Sequence, residues 1–430
     1  MPPIIEELKN KRIAILGFGK EGQSTYRYIR TYLPDQQVTI ADIHPIDTSE
    51  LTHVKTMFGA HYQELDDFDV IMKSPGIVLT HELPQDKLNS QTNLFLKHYG
   101  HQTIGITGTK GKSTTASLLH HILKQYRSCV LLGNIGKPAF DQLDMIDQDT
   151  IIVYELSCHQ LEYAHYSPHY GVLLNLYEEH LDHYGTYEKY VHAKENIWRN
   201  QLKNDTIVLE ASLANSKINS RIIKASMNDD EADIHIDEST LYINQKEIIL
   251  QNHDTALLGK HNRYDIAIVF YLAEQWGVSY EQSLIALKSF TPLAHRLQYV
   301  GCYHDLHWYD DSISTICETT IQALIALPKT DTLLLGGMDR GIDYTPLADY
   351  LNNHPIHHVI LMYDSGAVLA KLLKIPFTVV TDLKEAVETA KQVSRKNACV
   401  LLSPAAASYG FFKNFEERGD CYQKYIQNEA

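Results

Sequence analysis

The residues with the clearest capacity for chemistry lie between Gly105 and Thr115, "GITGTKGKSTT". Gly111-Lys112-Ser113 forms the end of a phosphate-binding loop, although the strict G-x-x-x-x-G-K-[ST] pattern asks for a glycine where the chain has Ile106. A strand feeding a glycine-rich turn straight into a helix aims several backbone N–H groups at phosphate oxygens. Lys112 adds a point charge for the β- and γ-phosphates, and the Ser113 hydroxyl can ligate Mg2+. Glu155 in "YELSCHQLE", at a strand tip, can hold a second metal ion directly or through water, and His180 in "LNLYEEHLDHYGTYEKYVHAK" can complete such a site. On spacing alone, His180 reads first as a packing or capping residue, and Lys194 as a solvated helix lysine. A second glycine cluster, Gly17-Phe18-Gly19-Lys20-Glu21-Gly22, is followed by Asp42, where a ribose-binding carboxylate belongs. By itself it fits the dinucleotide cofactor of an NAD-binding dehydrogenase or a tight turn without a ligand.

Strands and helices must hold these residues. A strand from Arg12 to Leu16, the glycine turn and a helix precede a second strand, "QVTIAD", that ends in Asp42; "FDVIMKSPGI" adds another before a Pro-Gly break. The segment from His81 to Gly100 reads as a helix leading to a boundary. Thr103 to Thr107 then reads as a strand and Lys112 to Gln125 as a helix. "CVLLGN", "TIIVYELS" and "HYGVLLNL" are continuous apolar runs suited to a parallel sheet covered on both faces. From Asp205 to Leu258 short alternating runs predict an antiparallel appendage. A helix, "NRYDIAIVFYLAEQWG", returns before a third unit opens near Thr291-Pro292, with strands in "LHWYDDS", "TDTLLLGGM", "HHVILMY", "FTVVTD" and "ACVLLSP". The expected class is α/β with three domains. These are a Rossmann-like N-terminal domain over residues 1–97, a central P-loop ATPase domain with a parallel sheet over 98–291, and a Rossmann-like C-terminal domain over 292–430.

Composition narrows the function. The chain of 430 residues is 44% hydrophobic and 21% charged, with no apolar run near the ~18 residues of a membrane span. The opening "MPPIIEELKNKRIAIL" lacks the pattern of a secretory leader, so a cytoplasmic chain is expected. A formal net charge of -15 argues against a nucleic-acid partner, which needs a basic face, and leaves anionic ligands to helix N-termini and a few placed cations. Six scattered cysteines without a C-x-x-C pair argue against a disulfide framework or a structural zinc site, and the 23 histidines show no H-E-x-x-H.

Beyond these motifs, "GNIG" (Gly133 to Gly136), "GKHNRYD" (Gly259 to Asp265), "HRLQYV" (His295 to Val300), "DDSISTICETT", "LLLGGMDRGIDY" and "VLLSPAAASYGFFKNFEERG" complete a series. In order and approximate spacing it resembles the Mur ligases over nearly the whole chain. The C-terminal segment and the N-terminal glycine turn resemble the glutamate-adding branch most. That family writes its loop G-T-x-G-K-[ST], so Ile106 is normal for it.

The resemblance implies a three-domain ATP-dependent ligase of peptidoglycan precursor synthesis, joining glutamate to UDP-N-acetylmuramoyl-L-alanine. Gly108, Thr109, Gly111, Lys112, Ser113 and Thr114 would cradle ATP, with Asn262 at the adenine and Arg296 and Asp311 reaching the nucleotide from the C-terminal domain. Two Mg2+ ions are implied, one at Ser113 and one at Glu155 and His180, with Lys194 as the lysine that the family carbamylates. Gly17, Gly19, Lys20, Glu21 and Asp42 would serve the UDP end of the substrate, and Asn134 and Gln160 the region near the muramoyl group. Thr315, Arg340, Ser408, Tyr409 and Phe415 would meet the amino acid. Another Mur-type or a folylpolyglutamate-type ligase is the alternative within the superfamily; a monomer is expected.

The implied chemistry is coherent. A carboxylate is a poor acyl donor, so ATP converts it to an acyl phosphate that the amine of glutamate then attacks, while domain closure would exclude water. Six positions depart from the family pattern: Ile313 stands where D-glutamate ligases carry lysine, Arg340 where they place another, Asp265 replaces asparagine, Glu179 replaces aspartate, and Ile43-His44 replaces a small polar and basic pair. An arginine still grips a carboxylate bidentately. These departures leave D-glutamate and L-glutamate both open.

Overall fold

The computed structural model describes residues 1–251 and 253–427. Its contacts divide into two units, Met1–Asp254 with Tyr264–Phe290, and Thr255–Arg263 with the chain from Thr291 onward.

The first unit holds two sheets. One contains β1 (Ile13–Leu16), β2 (Val38–Asp42), β3 (Val54–Phe58), β4 (Val70–Lys73) and β5 (Leu88–Asn89) in the order β3-β2-β1-β4-β5, all parallel. The expected helix between residues 81 and 100 is confined to Gln91–Tyr99. It starts where the Ser90 side chain accepts from Asn93 N at 3.0 Å, a cap that leaves the preceding residues free to pair as β5.

The other sheet runs through β6 (Thr103–Thr107), β7 (Cys129–Gly133), β8 (Ile151–Glu155) and β9 (Tyr170–Leu173). It continues with β10 (Thr206–Glu210), β11 (Arg221–Ser226), β12 (Ile234–Ile236), β13 (Thr240–Ile243) and β14 (Lys246–Ile249). Its order is β14-β13-β12-β11-β10-β9-β6-β8-β7. The segment from Asp205 to Leu258 is therefore only partly the antiparallel appendage that its alternation predicts. β10, β11 and β12 extend the parallel sheet, and antiparallel pairing is confined to β12-β13-β14. The Tyr187–Arg199 helix supplies the crossover that lets β10 lie parallel to β9, and the Thr206–Leu209 run is buried throughout, as a covered parallel strand requires.

The functional loops sit on a dry support. β6 and β8 are buried along their whole length, with Ile106, Ile152 and Val153 at 0% exposure, so the strand tips have little freedom to move.

The second unit contains β15 (Gln298–Tyr303), β16 (Leu306–Asp310), β17 (Thr330–Leu335), β18 (His358–Met362), β19 (Phe377–Val380) and β20 (Cys399–Leu402), ordered β15-β16-β20-β17-β18-β19. Among the described residues of this unit only β15, a strand not expected from the sequence, pairs antiparallel. The parallel neighbours β16, β20 and β17 end side by side, which is where open α/β sheets present their ligand loops.

Candidate nucleotide site

β6 ends at Thr107 and the Lys112–Leu123 helix begins five residues later, with no side chain capping its N-terminus. The loop needs two glycines for different reasons. Gly111 holds φ +85 at the N-cap, and a side chain there would meet the Asp265 carboxylate at 3.1 Å; Gly108 passes so close that a Cβ would lie 3.0 Å from Leu174 Cβ. Asn175, just past β9, fixes the turn by accepting from Lys110 N at 2.8 Å and donating to Lys110 O at 3.1 Å. Thr109 is pinned by the Tyr190 hydroxyl at 2.8 Å, and Thr114 follows Ser113 in the first helical turn.

Lysines crowd this turn. Lys112 Nζ donates to the carbonyls of Gly108 and Thr109, both at 2.9 Å, and Lys194 Nζ donates to the same Gly108 carbonyl at 2.7 Å. Lys194 is only 1% exposed, so the reading as a solvated helix lysine is wrong: the buried face of the Tyr187–Arg199 helix turns it into the loop. Burial, reinforced by Lys112, lowers its ammonium to about 7. Lys112 is likewise lowered by desolvation, against the opposing pull of Glu155 and Glu179. Lys110 forms an ion pair with Glu179 at 2.8 Å; burial would raise that carboxyl, but the lysine outweighs it and holds it low.

Opposite these cations stands Glu155, 0% exposed, at the end of β8 and in register with Ile106 of β6. One carboxylate oxygen accepts from Asn134 Nδ2 at 2.9 Å; the other, Oε2, is buried with no hydrogen-bond partner. His180 adopts φ +57 at the start of the Leu181–Tyr184 helix, and its ring packs 6.2 Å from Tyr190, whose own ring lies 5.0 Å from Lys194 Nζ. Lys112, Glu155, His180 and Lys194 are thus gathered about one loop. Asp265, 4% exposed beneath Gly111, is raised well above its ordinary value by burial, against a hydrogen bond from Thr115.

On the first sheet, Asp42 accepts from Phe18 N at 3.0 Å and from His44 N at 3.1 Å, so its carboxylate braces the turn containing Gly17 and Gly19. Lys20 is exposed at the helix start. Glu21 reaches Gln160 Nε2 at 2.8 Å while its Oε2 is buried without a partner, and burial raises it to about 7. Lys73, absent from the sequence expectations, is buried beside this pair, 3.9 Å from Glu162, and desolvation lowers it to about 8. Its place at the end of β4 is the only signal the sequence offered.

In the second unit, Asp311 is 6% exposed and accepts from Leu297 N, Ser314 Oγ and Ser403 Oγ; burial nonetheless raises it to about 7. Asn262 donates to Leu258 O at 2.6 Å, and Arg296 precedes Leu297 in the turn before β15. The candidate amino-acid residues occupy neighbouring loops. Thr315 follows β16, exposed Arg340 follows β17, and buried Ser408 with exposed Tyr409 follow β20. Met338 N donates to Ala407 O at 2.8 Å, and Ser312 Oγ donates to Phe415 O at 2.8 Å, which ties the three loops together. Arg418, 0% exposed, locks them further by donating to Ser312 O and Ala406 O. Sequence reading missed this arginine because its burial is a tertiary fact.

A family model described as the Mur ligase middle domain matches residues 106–273. A curated UDP-N-acetylmuramoylalanine--D-glutamate ligase from Exiguobacterium sibiricum is 32% identical, with 98% of this chain and 97% of that protein covered. One of the same name from Bacillus cytotoxicus is also 32% identical, over 97% and 98%. Among solved structures, a MurF ligase from Thermotoga maritima in complex with ADP matches with TM-score 0.62 at 15% identity, covering 100% of both chains, a likeness of fold.

Proposed function

The chain belongs to the Mur ligase family, and from that premise we propose that it is the ATP-dependent ligase joining D-glutamate to UDP-N-acetylmuramoyl-L-alanine in the cytoplasm, as a monomer. The observation that carries the reading is the loop. Two lysines, Lys112 and Lys194, converge on the Gly108 carbonyl beside a buried, unpartnered oxygen of Glu155. The Lys112 ammonium is poised for a polyanion, and the N-terminus of the Lys112–Leu123 helix turns the positive end of its dipole to the same loop.

The donor set fits magnesium, which prefers oxygen ligands: Glu155 Oε2 and the Ser113 hydroxyl, with His180 completing the second of two ions. Magnesium bound there offsets charge on the transferring phosphoryl group. Lys194 suits carbamylation, since an amine lowered to about 7 is substantially unprotonated at neutral pH and can attack carbon dioxide, releasing one proton. The carbamate so formed would supply two further oxygen donors beside the loop.

The substrate carboxylate attacks the γ-phosphorus of ATP, ADP leaves, and the acyl phosphate is then opened by the glutamate amine with loss of phosphate. Lys112 follows the charge of the transferring group. Asn262, Arg296 and Asp311 serve the nucleotide, Gly17, Gly19, Lys20, Glu21 and Asp42 the uridine end, and Asn134 and Gln160 the muramoyl end. Thr315, Ser408, Tyr409 and Phe415 contact glutamate, whose side-chain carboxylate Arg340 holds in place of the lysines found elsewhere. The three domains are 1–97, 98–291 and 292–430. The D enantiomer is supported by the two ligases named above, both D-glutamate-adding by name. Product analysis with D- and L-glutamate offered in parallel tests the proposal. The D-glutamyl product is expected and Lys112→Ala abolishes it; L-glutamyl product alone overturns the enantiomer, and no glutamyl product overturns the reading.

A further inference from the structure

We propose that His159, Glu162 and His183 form a binding site for one zinc-type transition-metal dication, outside the residues assigned to the nucleotide. The ligating atoms of these three side chains all lie within 4.8 Å of one another. His183 Nε2 stands 3.1 Å from Glu162 Oε2, and the rings of His159 and His183 are 4.4 Å apart. A tetrahedral ion with bonds of about 2.0–2.1 Å separates two of its ligands by about 3.3 Å, so one edge of the coordination polyhedron is already formed. Two imidazoles with one carboxylate suit zinc, cobalt or nickel and not a hard, oxygen-seeking ion such as magnesium.

The surroundings favour a held ligand set over three loose side chains. Tyr184 stacks on His159 at an interplanar angle of 4°, with its hydroxyl 3.2 Å from Nδ1, and so orients the ring as an outer-sphere partner does. Glu162 and His183 line a cleft of about 540 Å3 with Glu188 and His192, which gives an entry path and room for a fourth ligand. Another trio, Cys158, His159 and His180, also comes within range, but it draws on the imidazole placed at the triphosphate. Lys73, whose Nζ lies 3.9 Å from Glu162 Oε2, competes with a cation there, and Lys189 lines the same cleft.

The position has a consequence. Glu162 follows the Cys158–Leu161 helix, only a few residues past Glu155, and His183 sits one turn past His180. An ion held between them ties the strand tip carrying Glu155 to the turn carrying His180.

The experiment uses the full chain stripped of metal with EDTA, titrated calorimetrically with zinc alone and followed with cobalt by visible absorption. One equivalent of zinc is expected, with a tetrahedral cobalt spectrum and a rise in melting temperature. His159→Phe and His183→Ala each weaken binding by about 100-fold or more. Glu155→Gln keeps it, and Lys73→Met tightens it. Melting curves without metal show that each variant folds. Wild-type affinity in the folded His183→Ala protein, several equivalents of comparable weak affinity, or loss in His180→Ala with retention in His183→Ala would each overturn the site.

Discussion

At the scale of single residues, the site is organised by where charge is buried. Lys194 was legible as a chemical residue only through its family resemblance, because helix spacing alone does not tell which face of Tyr187–Arg199 meets the loop. Glu155 was legible directly, as a carboxylate ending a continuous apolar run. Asp265, buried beneath Gly111, bears on stability. Its folded-state pKa is raised by burial, so the folded chain binds a proton that the unfolded chain has released, and stability falls as pH rises above the ordinary value of 3.8. Asp265→Asn is expected to raise unfolding free energy at pH 8, and by much less at pH 4. Urea melts at the two pH values check this; an equal gain at both would contradict it.

At the scale of elements, strand tips carry the chemistry and helices set their spacing. Thr103–Thr107 and the helix from Lys112 could be read from sequence because an apolar run, a glycine turn and a helix start follow one another without ambiguity. Parallel pairing of β10 to β12 could not, since short alternating runs look the same in either sheet type and only the crossover helix decides. The loop itself yields a sharp expectation. Gly111→Ala forces a side chain into a left-handed backbone and against Asp265 at 3.1 Å, for a loss of about 1–2 kcal/mol. Nucleotide binding should fall with it by at least about tenfold, because the amide cradle shifts. Calorimetric titration with Mg-ATP and a denaturant melt of the same variant measure both; an unchanged affinity would mean that the cradle is not the phosphate site.

At the scale of the whole molecule, a chain of net charge -15 that handles anionic substrates must concentrate its cations, and it does so at Lys110 and Lys112. Among the described residues no helix is long and apolar enough to cross a membrane. The α/β class and the alternation of strand and helix were legible throughout. The juxtaposition of Lys73, Glu162 and His183 was not, because their neighbours come from separate strands and turns brought together only by packing. The account rests on transfer of the γ-phosphoryl group to the substrate carboxylate. The most direct measurement supplies UDP-N-acetylmuramoyl-L-alanine labelled with oxygen-18 in the alanyl carboxylate, together with ATP and glutamate, and weighs the inorganic phosphate released. One oxygen-18 atom per phosphate is predicted, with the other retained in the new amide; phosphate free of label would contradict the acyl phosphate and with it the mechanism.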